Sequence, residues 1–402
     1  MDRRLLILAL GMFAMGTDNF VVAGILPEVA RSLHTSTSHA GQLVTVYALS
    51  YALLAPVMAA LAGTWPRKRL LLAALGVFAA GNVISATATD LNVVLFSRAL
   101  AGLGAAMFSP TALGTAALLV PAQQRGRALA VVAAGLTGAT ALGAPLGTFI
   151  GGFGGWRTTF WFVALLGLLA MGALTILLGN VPQPAPISLR ARLQPLRDRR
   201  VVLTLLTSMF AFGGFLMVYT YAGAVLARVT GGSQRELAGL LLVWGIAATA
   251  GNLAAGRLVD RFGSQRIIVA GLVIGIVNFA TLPWTAVTLP ASGMALAIWG
   301  FVGWGLLVPL QHRLVQMAPQ TAPLLLGLNN SATYAGLACS GSAGGLFLLF
   351  LDPQLLSLGG AALIALALLV FAAGAAPARS PPAPFMPKLE ERNDGVATLE
   401  KK

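Results

Sequence analysis

Charge is scarce in this 402-residue chain. Asp, Glu, Lys and Arg make up 9% of it, and only 12 residues are acidic. A soluble globule of this length carries about 25% charged residues, so a water-soluble domain is excluded. Cysteine is nearly absent: Cys339 stands alone, which excludes an internal disulfide. The three histidines, His34, His39 and His312, have no metal-ligand spacing with one another or with Cys339, so no metal site is expected. The apolar stretches hold no paired acids and no Ser–His set, which argues against an intramembrane enzyme. What is abundant is apolar: 57% of residues are hydrophobic, and the mean hydropathy is +0.83.

Stretches of about 20 apolar residues cross a bilayer as helices. Twelve are expected, near 5–27, 41–63, 70–89, 92–120, 128–150, 159–179, 201–227, 237–259, 266–287, 291–311, 322–350 and 355–376. The start, MDRRLLILALGMF, has the basic residues and apolar run of a signal peptide. The run continues to Leu26 with no A-x-A site before the next loop, so an uncleaved first span is expected. The expected fold class is an all-α membrane protein, with two six-helix bundles at 1–180 and 201–376. A Pro-rich basic linker, 181–200, joins them, and a disordered tail follows at 377–402.

The net charge of +14 hints at nucleic acid, but the arginines are scattered singly and no nucleic-acid partner is expected. Topology explains them. One set of alternate loops and ends holds 21 of the 26 Lys and Arg residues, and the opposite set holds four, Arg31, Arg157, Arg228 and Arg235. The positive-inside rule makes the richer side cytoplasmic and puts both termini there. The twenty-sixth is Arg98, inside the fourth span.

Arg98 and Asp18 are the two charges within the apolar spans. An ionised group at hydrocarbon depth costs about 2.5–3.5 kcal/mol on insertion scales. Asp18 lies about 12 Å and Arg98 about 9 Å from the outer ends of their spans at the helical rise per residue. At similar depth they form a proton-coupling site or, alternatively, a fixed structural ion pair. Opposite charge lowers an acid's pKa and burial raises it, so such a site is able to load and release a proton. Polar residues at helical spacing, Asn330, Thr333 and Tyr334, share a face of span eleven. With Asn19, Tyr47 and Tyr51 they either line a substrate cavity or glue helices together.

Several motifs carry a family resemblance. Sliding the chain by 197 residues sets the loop after span eight on the loop after span two, a weak internal repeat that fits two related halves. The later loop reads Gly256-Arg257-Leu258-Val259-Asp260-Arg261-Phe262-Gly263, then Arg266. It resembles the G-x-x-x-D-R-x-G-x-x-R loop of the major facilitator superfamily. The resemblance implies a cytoplasmic latch with Asp260 as pivot and Arg261 and Arg266 as partners; a charged turn that only sets topology is the alternative. In the first half, Gly63 stands where the acid is expected, which leaves Arg67, Lys68 and Arg69 to act there. Span four, Arg98-Ala99-Leu100-Ala101-Gly102-Leu103-Gly104-Ala105, resembles the R-x-x-x-G-x-G-A motif linked in that family to proton transfer. Span one, Gly16-Thr17-Asp18-Asn19-Phe20, resembles the exporter opening G-T-x-E-F with the acid one position early, a turn of about 100° on a helix. Span five carries Gly143, Pro145, Gly147 and Gly151, which resemble the antiporter motif G-x-x-x-G-P-x-x-G-G of exporters, with Ala144 inserted before the proline. Read alone, these glycines make a packing ridge, and Pro145 favours a bend. The following Gly155-Trp156-Arg157-x-x-Phe160-Trp161 is a further resemblance.

Over residues 1–376 the resemblance implies a twelve-span transporter of the drug:proton antiporter branch. It implies export of drug-like amphiphiles by alternating access, with protons as coupling ion and no other cofactor. The expected partners are a small-molecule substrate, the proton and membrane lipid. The expected setting is a bacterial inner membrane, with the chain a monomer. An exporter of sugars or nucleosides is the runner-up. A nutrient symporter is disfavoured by the span-five motif, and a channel by the lack of symmetric pore segments.

Overall fold

The structure, a computed structural model, describes residues 2–61, 65–179, 181 and 189–375. Twelve long helices run antiparallel in chain order: α1 Arg3–Ser32, α2 Gln42–Leu61, α3 Arg67–Thr87, α4 Leu91–Leu118, α5 Arg125–Gly154, α6 Trp156–Leu177, α7 Arg199–Thr220, α8 Gln234–Phe262, α9 Ser264–Thr285, α10 Leu289–Met317, α11 Ala322–Phe347 and α12 Leu356–Ala375. Without water in the hydrocarbon, each backbone polar group needs a partner within its own segment, which leaves helices as the form these apolar runs take. Among the described residues, eleven helices are long and apolar enough to cross a membrane. The exception to the expected twelve is α11, whose 26 residues suffice in length but include Asn329, Asn330, Ser331, Thr333 and Tyr334.

Side-chain caps punctuate the turns. Asp2, Asp90, Asp198, Ser233 and Thr288 each accept a hydrogen bond from a backbone N–H in the first turn of the helix that follows. Arg4 also hydrogen-bonds the Asp2 carboxyl through its side chain and holds it below the usual carboxylate range. Gly155 and Gly263, at φ 84° and 81°, turn α5 into α6 and α8 into α9, a backbone that L side chains rarely adopt.

The helices overrun the expected spans. α1 continues to Ser32 and carries Glu28 and Arg31 on its last turn. α10 reaches Met317, six residues past the expected end. The seventh span is broken: α7 stops at Thr220, and two one-turn helices, Ala222–Val225 and Ala227–Thr230, complete the crossing. In α5 a π-helical segment, Ala139–Gly143, directly precedes Pro145. A wider turn there meets the ring's missing N–H and bends the helix. Of the expected linker, 189–193 and 194–197 form short helical turns, and Arg192 donates to the Ala59 carbonyl at the end of α2. Residues 182–188, Gly63 and the expected disordered tail at 377–402 lie outside the described residues.

In the first half, α1 packs on α5 and α6, and α4 on α2 and α3. In the second, α7 packs on α11 and α12, and α8 on α10. The halves meet where α2 faces α11 and α5 faces α8. One end of the molecule holds the basic turns with Arg67, Arg125, Arg257 and Arg266. At the other end the contact is tight: Ser342 donates to Thr45 Oγ1 at 3.2 Å, and a side chain at Gly41 of the first half would strike the Tyr221 ring at the break after α7. Toward the basic end the same faces part. Gly245 on α8 abuts the Thr140 carbonyl, yet Gly256, three turns on and on the same face, has open space where a side chain would stand. Gly341 on α11 abuts Thr45, yet Gly327 on that face is open. The two halves therefore form a cleft that widens toward the basic end.

This geometry gives paired substitutions opposite signs. Gly245→Ala pushes a methyl into the backbone of α5 and should destabilise by about 1–3 kcal/mol. Gly256→Ala meets nothing and should stabilise by up to about 1 kcal/mol through helix propensity. Thermal unfolding in detergent checks both; equal effects would mean that the faces do not diverge.

Candidate functional site

Asp18 on α1 and Arg98 on α4 come together at the middle of the first half. Arg98 Nη1 donates to Asp18 Oδ1 at 2.6 Å, and both side chains are at most 1% exposed. Among the described residues the only other ion pair is the partly exposed Asp2–Arg4. The guanidinium lies over two rings, Tyr47 at 4.6 Å and Phe160 at 5.5 Å from their centroids, which favours the cation in a desolvated place. Asn82 of α3 stands beside Asp18 and donates to the Phe78 carbonyl at 3.0 Å. Five helices thus enclose one pair. Asp18 Oδ2, Arg98 Nε, Tyr47 Oη and Asn82 Oδ1 are buried without partners. Each such atom costs about 1–3 kcal/mol. Oδ2 is left as a free acceptor on which a proton can sit.

The position of Asp18 is set by glycine. On α5, a side chain at Gly143 would strike Thr17, one at Gly147 would strike Val21, and one at Gly151 would approach Ile25. These contacts advance four residues at a time on both helices, so α1 and α5 run side by side in fixed register. Thr17 faces the ridge, and Asp18, about 100° around the helix, faces α4 instead. The other face of α5 carries Thr140 against Gly245 of α8. Pro145 itself lies buried just after the π-helical segment.

From the ion pair, contacts continue into the second half. Tyr51, one turn after Tyr47, stacks on Tyr334 of α11 with centroids 3.7 Å apart and planes at 17°. Tyr219 of α7 donates its hydroxyl to the Phe20 carbonyl at 3.1 Å, two residues past Asp18. Asn19 is buried with Oδ1 unpartnered. Asn330 is half-buried one turn before Tyr334, while its neighbour Asn329 takes the buried hydrogen bond from Ser208 at 2.7 Å. Tyr47, Tyr51 and Tyr334 are thus gathered at the ion pair. Asn330 is displaced from them along α11.

The expected latch is not closed. Asp260, Arg261, Gly263 and Arg266 are exposed, and Asp260 pairs with neither arginine. Arg261 lies over its neighbour Phe262, and Arg266 lies across the Gly263 turn on α9. Nothing stands within reach of a side chain added at Gly256, so this end of α8 is open rather than covered. Phe160, Asn82 and Tyr219 were not anticipated as site residues. Asn82 had a signal, as the one amide in the apolar third span; Phe160 and Tyr219 had none beyond aromaticity.

Similarity to known proteins follows this geometry. The model of the Major Facilitator Superfamily matches residues 8–338. The chain belongs to that superfamily. The MFS-type transporter YbcL of Bacillus subtilis is 31% identical over 344 residues, 86% of this chain and 88% of its own. The inner membrane transport protein YdhP of Escherichia coli K12 is 30% identical over 341 residues, 85% and 87% of the two chains. A chloramphenicol resistance protein of Streptomyces lividans is 37% identical over 277 residues, 67% and 71%. Among solved structures, a mutant of the nucleoside transporter NupG aligns with a TM-score of 0.74 at 15% identity, covering 93% of this chain and 99% of that one. That likeness shows the fold. The chain is a multi-pass membrane transporter of the major facilitator fold, not an enzyme.

A buried ion pair makes its two members interdependent. Asp18→Asn strands the guanidinium and Arg98→Met strands the carboxylate, each costing about 3–5 kcal/mol. The double variant should cost less than the two singles combined, because neither stranded charge remains. A thermal-unfolding cycle of the four proteins measures this; additive singles would show that the contact carries no coupling.

Proposed function

We propose that this transporter is a proton-coupled exporter of small, drug-like molecules, working by alternating access in a bacterial inner membrane. The observation that carries the reading is the buried Asp18–Arg98 contact, joined through Tyr47 and Tyr51 to Tyr334 of the other half. Protonation of Asp18 removes the charge that holds Arg98. The guanidinium then relaxes on Tyr47, and the Tyr51–Tyr334 stack between the halves feels the change. Release of the proton restores the pair. Asp18 is the proton carrier in this reading, Arg98 sets its affinity, and the tyrosines with Asn19 and Asn330 border the substrate path.

The orientation follows the basic turns: the cleft opens to the cytoplasm, with both termini on that side, and the chain acts as a monomer. The open latch at Asp260 belongs to this inward-facing arrangement and closes in the opposite one. The glycine ridge of α5 supports export, since it fixes the Asp18 helix on one face while the other face of α5 meets α8 of the second half. Chloramphenicol is the first substrate to try, given the relative that is 37% identical. Sugars and nucleosides form the comparison set.

The test is a resistance and transport screen in a pump-deficient host. Expression should raise tolerance to at least one exported compound, and Asp18→Asn should abolish the gain. Adding that compound to everted vesicles should release protons from the lumen with the wild type and not with Asp18→Asn. Equal proton movement by both proteins would refute Asp18 as carrier. Uptake by intact cells driven by an inward proton gradient would refute export.

A further inference from the structure

Tryptophan in a membrane protein normally settles at the interface, where the indole N–H meets water. Three of this chain's seven tryptophans do otherwise. Trp244 lies ten residues into α8 and Trp299 ten residues into α10, each about 15 Å along its helix. Trp304 follows five residues on. Trp244 and Trp299 pack with Tyr219 and Phe279 into one aromatic body in the second half: Tyr219–Trp244 at 4.4 Å, Trp244–Trp299 at 5.7 Å, Phe279–Trp299 at 5.2 Å between centroids, and Trp304 lies on Phe212 with centroids 6.2 Å apart.

One ring in this body comes from the first half. Phe20 of α1 lies 5.7 Å from Tyr219, 6.3 Å from Trp244 and 5.7 Å from Trp304, at angles of 88°, 53° and 70°. Tilted and edge-on contacts of this kind are what a benzene ring adopts in an aromatic pocket. Tyr219, Trp244 and Trp304 form the walls, and Phe20 fills the space between them. Phe20 and Trp244 are buried, and Trp304 is half-buried. The polar inventory of this box is short. The Tyr219 hydroxyl hydrogen is spent on the Phe20 carbonyl. The Trp244 indole Nε1 is buried, 1% exposed for the residue, and has no partner. The unfilled group is a donor, and Asp18, two residues from Phe20, is taken by Arg98.

We propose that Phe20 is a built-in surrogate for the substrate's ring, and that the Tyr219–Trp244–Trp304 box binds a neutral aromatic compound bearing a hydrogen-bond acceptor oxygen. When the halves part, α1 withdraws Phe20, because that ring alone belongs to the first half. A substrate ring takes its place, and its oxygen accepts from Trp244 Nε1. A cation would gain from the ring faces but leave the indole N–H unpaired. The proposal rests on the transport reading above and narrows it to a substrate class.

The test measures binding by calorimetry to the full-length protein in lipid nanodiscs. The probes are N-benzylacetamide, its cyclohexylmethyl analogue and benzyltrimethylammonium. The aromatic amide should bind more tightly than the other two. Phe20→Ala, which removes the surrogate, should tighten it at least about threefold, the worth of one aromatic contact. Trp244→Phe keeps a ring and loses the donor, and should weaken it about threefold to tenfold, the span of one neutral hydrogen bond. Should Trp244→Phe fail to fold, Trp304→Leu tests the same wall and should weaken the amide likewise. Equal binding of the cyclohexyl analogue, tighter binding of the ammonium, or no gain from Phe20→Ala would overturn the proposal. Transport is read separately: if the amide binds as expected but vesicles do not move it, the box stands and the export reading fails for this class.

Discussion

A guanidinium and a carboxylate, 2.6 Å apart and sealed from water, organise this protein. Each member is tolerable at hydrocarbon depth only because the other is there. Removing either charge in place raises the energy of the survivor, a penalty that a surface salt bridge does not carry. Adding a proton to Asp18 is the mildest means of breaking it. The rings of Tyr47 and Phe160 give the freed cation somewhere to rest, which keeps the disturbed state accessible.

That pair depends on register. Thr17, Val21 and Ile25 on α1 meet Gly143, Gly147 and Gly151 on α5, so a slip of one residue would swing Asp18 away from Arg98. The same helix α5 touches α8 of the other half through its second face. A helix packed against glycine on both faces, at its own ridge toward α1 and at Gly245 of α8, is suited to transmit small rotations between the halves. The Tyr51–Tyr334 stack and the Tyr219–Phe20 hydrogen bond are the other crossings near the pair. Tyr219 bonds two residues from Asp18, Thr140 lies three residues before Gly143, and Tyr51 lies one turn from Tyr47, whose ring faces Arg98.

The fold was legible because hydropathy and alternating charge are one-dimensional signals: each span is announced by its own run of residues. Asp18 and Arg98 were legible for a related reason, since a charge in an apolar run is conspicuous. Asp18, about 100° around α1 from the ridge-facing Thr17, meets Arg98 of α4, whereas Asn19, at the family's acid position, is buried with its Oδ1 unpartnered. What stayed hidden was pairwise. Nothing in the sequence says that Phe160 approaches Arg98, that Tyr51 faces Tyr334, or that Phe20 sits among tryptophans. An aromatic residue in a span reads the same whether it faces lipid or a partner ring. The latch residues show the reverse case: Asp260 and its arginines are plain in the sequence, but whether they pair is not.

α11 bears on how the chain is made. Its two asparagines, serines, threonine and tyrosine leave it short of the apolarity that lets a helix enter a bilayer unaided. In the finished protein those groups are absorbed by contacts such as Ser208 with Asn329 and Tyr51 with Tyr334. During synthesis α7 and α2 are already complete when α11 emerges, so the surfaces that accept its polar face exist before it needs them. The order of the helices along the chain therefore doubles as an assembly order, with the most polar span inserted late, against a scaffold of its own making.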